Sequence, residues 1–178
     1  MLMKSLLTIL FVTCSFVISC HTASSRQTPE AIKMEKVARR HMQDERKNFK
    51  QEEIQKAEEL YTMASELLRN GGNPETLLDS VVSMYPQFDR AGCAQLYRAQ
   101  LEKGQEKESL LKDCITRFSN CYYGDGAQVG PLAMLQLAEY YHLVGKEQDA
   151  QELVERLRKE YSESVGHDGV LLVDKINK

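Results

Sequence analysis

Three stretches of the chain end alike, and the intervals between them limit what it can fold into. Ser83-Met84-Tyr85-Pro86, Thr116-Arg117-Phe118-Ser119 and Lys159-Glu160-Tyr161-Ser162 each close an apolar-periodic segment on an aromatic residue. The aromatics stand 33 and 43 positions apart. A recurrence at that interval belongs to repeat architectures, in which one supersecondary unit cannot bury its apolar face alone and must stack on the next. The intervening segments carry apolar residues at helical spacing and are punctuated by Gly and Pro. They predict helices over 75–85, 89–103, 106–118, 131–144 and 146–161. Upstream, Thr28-Pro29-Glu30 reads as a helix start, with Thr28 as N-cap and Pro29 in the first turn. No Pro or Gly then occurs until Asn70-Gly71-Gly72-Asn73-Pro74 stops the run. That run is one long helix or two in succession, with the denser apolar stripe (Ile54, Ala57, Leu60, Tyr61, Ala64, Leu67, Leu68) in its second half. The absence of Trp, together with abundant Leu, Ala, Glu and Gln, favours helix over strand.

The segment 131–164 resembles a tetratricopeptide repeat. Met134, Leu137, Ala138 and Tyr141 occupy the bulky, bulky, small and aromatic positions of a first helix. Gly145 matches the turn, and Ala150 the small residue where the second helix crosses the first. Val154 and Leu157 continue the core side, although Leu157 replaces the usual Ala and Ser162 the Pro that commonly follows. In the preceding unit, 90–120, Cys93, Leu96 and Gly104 align while Tyr97 and Gln100 depart. Leu60, Ala64 and the Tyr85-Pro86 ending mark a weaker unit before it. The resemblance implies an all-α fold: antiparallel helical hairpins stacked as a short solenoid, preceded by a long charged helix. Residues 170–176, capped by Asp168, are expected to form a short helix covering the last repeat. The resemblance also implies that the exposed first-helix positions bind a partner. At the matching positions these are Ala94, Arg98, Leu101 and Glu102, then Leu132, Leu135, Glu139, His142 and Leu143.

The N-terminus gives an address. Lys4 precedes an apolar stretch, 6–18, too short for the ~20 apolar residues that span a bilayer. Val17-Ile18-Ser19-Cys20 follows and resembles the lipobox of bacterial lipoproteins. That resemblance implies cleavage before Cys20, diacylglycerol on its thiol and a further acyl chain on its amine. By the same analogy His21, rather than Asp, after the lipidated residue points to the outer membrane, facing the periplasm. The expected organisation is a signal peptide at 1–19, a lipidated tether at 20–29, a charged helical arm at 30–50 and the repeat domain at 51–178.

Three cysteines remain beyond the signal and the anchor: Cys93, Cys114 and Cys121. An odd number permits one internal bridge at most. Cys114 and Cys121 are too far apart on a continuous helix to pair, about 10 Å. That leaves three buried thiols, a Cys93–Cys114 bridge or a Cys93–Cys121 bridge. Their spacing matches no zinc motif, and no metal or other cofactor is expected.

No catalytic set stands out, and a non-enzymatic role is expected. His167-Asp168-Gly169 has no partner at ligand spacing. Gly124-Asp125-Gly126 lacks the further acidic ligands of a calcium loop. The stretch 122–130 reads as a turn between hairpins, and its length makes it the best candidate for a functional loop. A net charge of -3 gives no sign of nucleic-acid binding. Charge is unevenly placed, however: 33–50 holds seven basic residues against three acidic ones, close to the anchor and within reach of anionic headgroups. The expected function is an envelope adaptor that binds a protein or peptide through its helical groove. The alternative is a structural module that oligomerises through the charged helix; the sequence does not fix its oligomeric state.

Overall fold

The computed structural model describes residues 28–176. The expected signal at 1–19, the expected lipidation site Cys20 and His21 lie outside the described residues. The described chain is all-helical: α1 (Pro29–Asn48), α2 (Gln51–Arg69), α3 (Glu75–Met84), α4 (Asp89–Leu101), α5 (Gly104–Arg117), α6 (Val129–Leu143), α7 (Glu147–Glu160) and α8 (Leu172–Lys175). Its only extended pairings among these residues are two isolated antiparallel bridges.

Helices α2/α3, α4/α5 and α6/α7 form three hairpins, and from α2 to α8 each helix packs on the next along the chain. The first helices of successive hairpins also touch: α2 meets α4, α4 meets α6 and α6 meets α8. The turns inside the hairpins hold Gly71, Gly104 and Gly145, all at positive φ, where a Cβ would be strained. Helix α6 is the most enclosed. Met134, Leu137, Ala138 and Tyr141 are buried, and so are Ala150 and Leu157 across the hairpin. Small residues at 138 and 150 allow the two helices to approach closely.

The three aromatics of the sequence repeat are the C-caps of α3, α5 and α7. The N–H groups of Tyr85, Phe118 and Tyr161 donate to the carbonyls four residues back, closing each helix. The N–H three residues on, from Phe88, Cys121 or Ser164, then donates to the aromatic's carbonyl at 3.0–3.1 Å. After this shared turn the junctions diverge. In the first, α4 starts at once with Asp89.

In the other two the chain makes the same miniature hairpin twice, 43 residues apart. Tyr122 bridges Gln128, and Val165 bridges Leu171. The Val129 N–H donates to the Cys121 carbonyl and the Leu172 N–H to that of Ser164, both at 2.9 Å. At each tip an aspartate, Asp125 or Asp168, accepts from the N–H two residues on, and a glycine, Gly126 or Gly169, supplies positive φ. Helix α8 thus stands where α6 stands one repeat earlier. It packs on α6 and α7, with Leu172 buried against them. Asp168 belongs to the hairpin tip rather than capping α8, whose N-cap is Leu171. The expected cap was misplaced because an aspartate before a short apolar run signals both a turn and a helix start.

The long N-terminal run is two helices. No Pro or Gly breaks it; Phe49 and Lys50 are extended. Phe49 leaves the helix to meet Phe88 edge-on at 5.1 Å, and Phe88 stacks on Tyr85 at 6.0 Å. The break is therefore made by a tertiary aromatic contact. As expected, Thr28 caps α1: its hydroxyl accepts from the Ala31 N–H at 3.1 Å.

Helix α1 lies across the inter-hairpin junctions. At its start the Thr28 hydroxyl donates to the Gly169 carbonyl at 2.9 Å, and Lys33 pairs with Glu163 at 2.6 Å. Midway, a Cβ on Gly126 would stand 2.5 Å from the Glu35 nitrogen, so the first miniature hairpin touches α1 backbone to backbone. Near its end His41 and Glu45 reach Asp89. Buried Ala31, Met34 and Ala38 form the inward stripe, at the i, i+3, i+7 spacing of one helix face. At 1.5 Å per residue, 20 residues span ~30 Å, the depth of a few packed helices.

Candidate functional site

The sequence-predicted binding residues divide between core and surface. Leu132 and Leu135 are buried, 7% and 9% exposed, because α6 is covered on nearly every side. Ala94 is buried too. Arg98 is largely tied within the chain: it pairs with Asp79 at 2.8 Å and donates to the Gln95 side chain at 2.9 Å. Together with Leu101 and Glu102 it lines a shallow groove of about 300 Å³ beside the α2–α3 turn, which includes none of the predicted α6 residues. Glu139, His142 and Leu143 are exposed. Leu143 is 82% exposed at the end of α6, and His142 pairs with Glu147 at 2.9 Å.

The cysteines are three free thiols, Cys93 and Cys114 buried and Cys121 half-buried. Burial raises the pKa of all three, that of Cys121 to about 12. A thiol so raised is a poor nucleophile at neutral pH. Cys121 sits directly against Gly92, where a Cβ would come within 2.5 Å of its own.

A further groove lies in the angle between α1 and α2. It has a volume of about 760 Å³. Ile54, Ala57 and Phe88 give it an apolar floor, Met42 and Met63 add flexible thioethers, and Glu45, Arg46 and Glu59 bring charge. Met63 is 52% exposed. The Phe49 turn creates this groove, because two helices joined by two extended residues diverge. On the floor Arg90 forms an ion pair with Glu58 and lies 4.9 Å over the Tyr61 ring, which holds α2 to α4.

One corner of the groove is a polar latch. His41 Nδ1 is 3.0 Å from Asp89 Oδ2. The Asp89 N–H donates to Glu45 Oε1 at 2.6 Å, so α1 supplies the N-terminal acceptor that α4 lacks locally. The Tyr122 N–H donates to Asp89 Oδ1 at 2.9 Å. Asp89 is 5% exposed; burial raises its carboxyl pKa, against the pull of His41 and the Tyr122 N–H. Burial likewise raises that of Glu45, with the Asp89 charge adding to it. His41, Glu45 and Asp89 each place a potential metal-ligand atom within 4.8 Å of the others. All three already have protein partners, and together they fasten α1 to α4 and to the first miniature hairpin.

A second histidine–carboxylate pair joins the two miniature hairpins. His167 Nδ1 lies 2.8 Å from Asp125 Oδ2, and its ring meets Tyr123 edge-on at 4.6 Å. The two Asp-Gly turns that look unrelated along the chain are thus neighbours. Of the latch, nothing in sequence pointed to His41 meeting Asp89, 48 positions away. The repeated Asp-Gly at 125–126 and 168–169 was a signal that could have revealed the paired hairpins.

Compared with known protein families, characterised proteins and solved structures, the chain matches none.

Proposed function

We propose that this protein is a lipid-anchored component of a bacterial envelope that holds a partner protein and performs no chemistry of its own. The observation that carries this reading is the 760 Å³ groove between α1 and α2, open at the surface, apolar at its floor and charged around it. A floor of Ile, Phe and Met suits the apolar face of a helix or a short extended segment, because Met adapts its shape to what it meets.

The body is read as a short tetratricopeptide-like solenoid. Its support is the stacking of three hairpins, the contacts between their first helices, and the buried Ala138 and Ala150. Anchoring rests on the Val17-Ile18-Ser19-Cys20 resemblance, with the outer membrane facing the periplasm as the expected location. The other reading, oligomerisation through α1, has less support: Ala31, Met34 and Ala38 are already covered by the chain's own junctions.

The test is crosslinking in the cell from a photoreactive residue at Met63. A specific partner whose crosslink is lost on Ile54→Glu supports the groove. A crosslink that survives this change and disappears with Arg98→Glu plus Glu139→Lys would move binding to the hairpin turns. No specific capture from any of these positions would overturn the adaptor reading. Radioactive palmitate incorporation, lost in Cys20→Ala, tests the anchor.

A further inference from the structure

The outward face of α1 is basic, and the structure shows how it became so. Lys33, Lys36, Arg40, Gln43 and Lys47 follow one another at spacings of three and four and are all exposed. They form a single stripe, opposite the buried Ala31–Met34–Ala38 stripe. Of the four acids of the helix, Glu30 stands in the first turn, off this stripe, and the other three are turned inward or paired. Glu45 turns inward to the Asp89 N–H, Glu35 pairs with Arg39, and Asp44 pairs with Lys47. Lys33 is answered by Glu163, whereas Lys36, Arg40 and Arg46 have no ion pair among the described residues. Ile32 and Phe49, 39% and 38% exposed, stand near the two ends of the helix.

We infer that this face of α1 lies on an anionic lipid surface and that phosphate headgroups are its ligand. Three features argue for that occupant. A stripe of exposed cations, with Lys36 and Arg40 at its middle free of ion pairs among the described residues and no exposed apolar stripe beside it, suits a charged plane better than a protein groove. Like charges disfavour a second copy of the same face. The proposed anchor supplies the third feature: the eight residues from Cys20 to the helix start reach roughly 25–30 Å at full extension, which keeps α1 near the bilayer. The inference rests on the lipid-anchor reading and adds an orientation to it: α1 flat on the membrane, the hairpin stack above it.

The experiment uses the full chain reconstituted in vesicles of phosphatidylcholine, with or without one quarter phosphatidylglycerol. A nitroxide side chain at Gln43 reports the face, and one at exposed Gln151 on α7 serves as reference. The expected result is a severalfold loss of access of a water-soluble relaxant to Gln43 only in the anionic vesicles. High salt should reverse that loss, and Lys36→Glu with Arg40→Glu should abolish it. Both residues lack ion-pair partners, so the variant is expected to fold; a circular dichroism spectrum equal to wild type checks this. Equal access at Gln43 in both vesicle types, or protection that survives salt and charge reversal, overturns the inference. Mass spectrometry of the same preparation reads the lipid on Cys20 separately, so a missing anchor and a missing membrane face are distinguishable outcomes.

Discussion

The miniature hairpins at 121–129 and 164–172 have one backbone and different contents, while the first junction, 85–89, has no hairpin at all. Between the two hairpin junctions, 118–130 and 161–173, only Ser, Asp and Gly coincide, at 119/162, 125/168 and 126/169. Those positions and the aromatic cap fix the geometry: a capped helix end, a turn closed by an aspartate side chain, and a glycine at positive φ. The remaining positions are free to serve separate tasks. Gly126 admits the α1 backbone, whereas Gly169 meets only the Ala31 Cβ, at 3.3 Å. Asp125 turns its second oxygen to His167; Asp168 pairs instead with Lys175 at 2.9 Å. Where the hairpin is missing, Asp89 substitutes for it by holding α1 through side chains.

Substitution of the tip glycines probes the difference most severely. Gly126→Ala is expected to cost about 3 kcal/mol or more in urea unfolding, since both the strained φ and the α1 backbone oppose a Cβ. Gly169→Ala, with strain but a softer contact, should cost about 1–2 kcal/mol. Gly124→Ala, with nothing within 4 Å, should stay within about 0.5 kcal/mol. Equal losses at 126 and 169 would mean that α1 does not press on the first miniature hairpin. The first junction comes next. Asp89→Ala leaves the Tyr122 N–H without its acceptor and His41 without its partner, and should cost about 2 kcal/mol. Hydrogen exchange should show the loss first in the C-terminal half of α1.

The smallest effect is the cross-hairpin pair. Burial raises the Asp125 carboxyl, but the His167 contact and the Ala127 N–H outweigh it, and the net pKa falls below the ordinary 3.8. A carboxylate lowered in the folded state contributes stability in full above its unfolded pKa. That stability fades as the pH drops through the folded value. Asp125→Asn should therefore melt slightly below wild type at pH 6, by less than about 1 kcal/mol for so exposed a pair, and the gap should close below pH 3.8. A gap that persists at low pH would assign the effect to the turn rather than to the charge.

Much of the helical framework was readable in sequence. Helix spans, hairpin-turn glycines, the Thr28 cap and the aromatic endings are all local signals, and each falls within a few residues of its expected place. The hairpins escaped because a bridge of one residue pair leaves no alternating pattern to read. The position of α1 escaped for a different reason. Its docking site is turn backbone and a buried aspartate drawn from distant junctions, so no matching apolar stripe announced it. Leu132 and Leu135 were assigned to a surface by pattern, but a first helix in the middle of a stack is flanked by helices on both sides and buries that face as well.

The reach of α1 bears on the order in which the molecule can assemble. A plain stack of hairpins involves contacts between near neighbours, so it can nucleate locally and open from either end. Here an early helix meets a loop made much later: Thr28 and Gly169 are 141 positions apart, Lys33 and Glu163 are 130. Helix α1 cannot complete its seat until the final hairpin has left the ribosome and, on the proposed route, crossed the inner membrane. Once seated, it joins both ends of the stack in one cooperative unit, so that opening either end should also loosen the other.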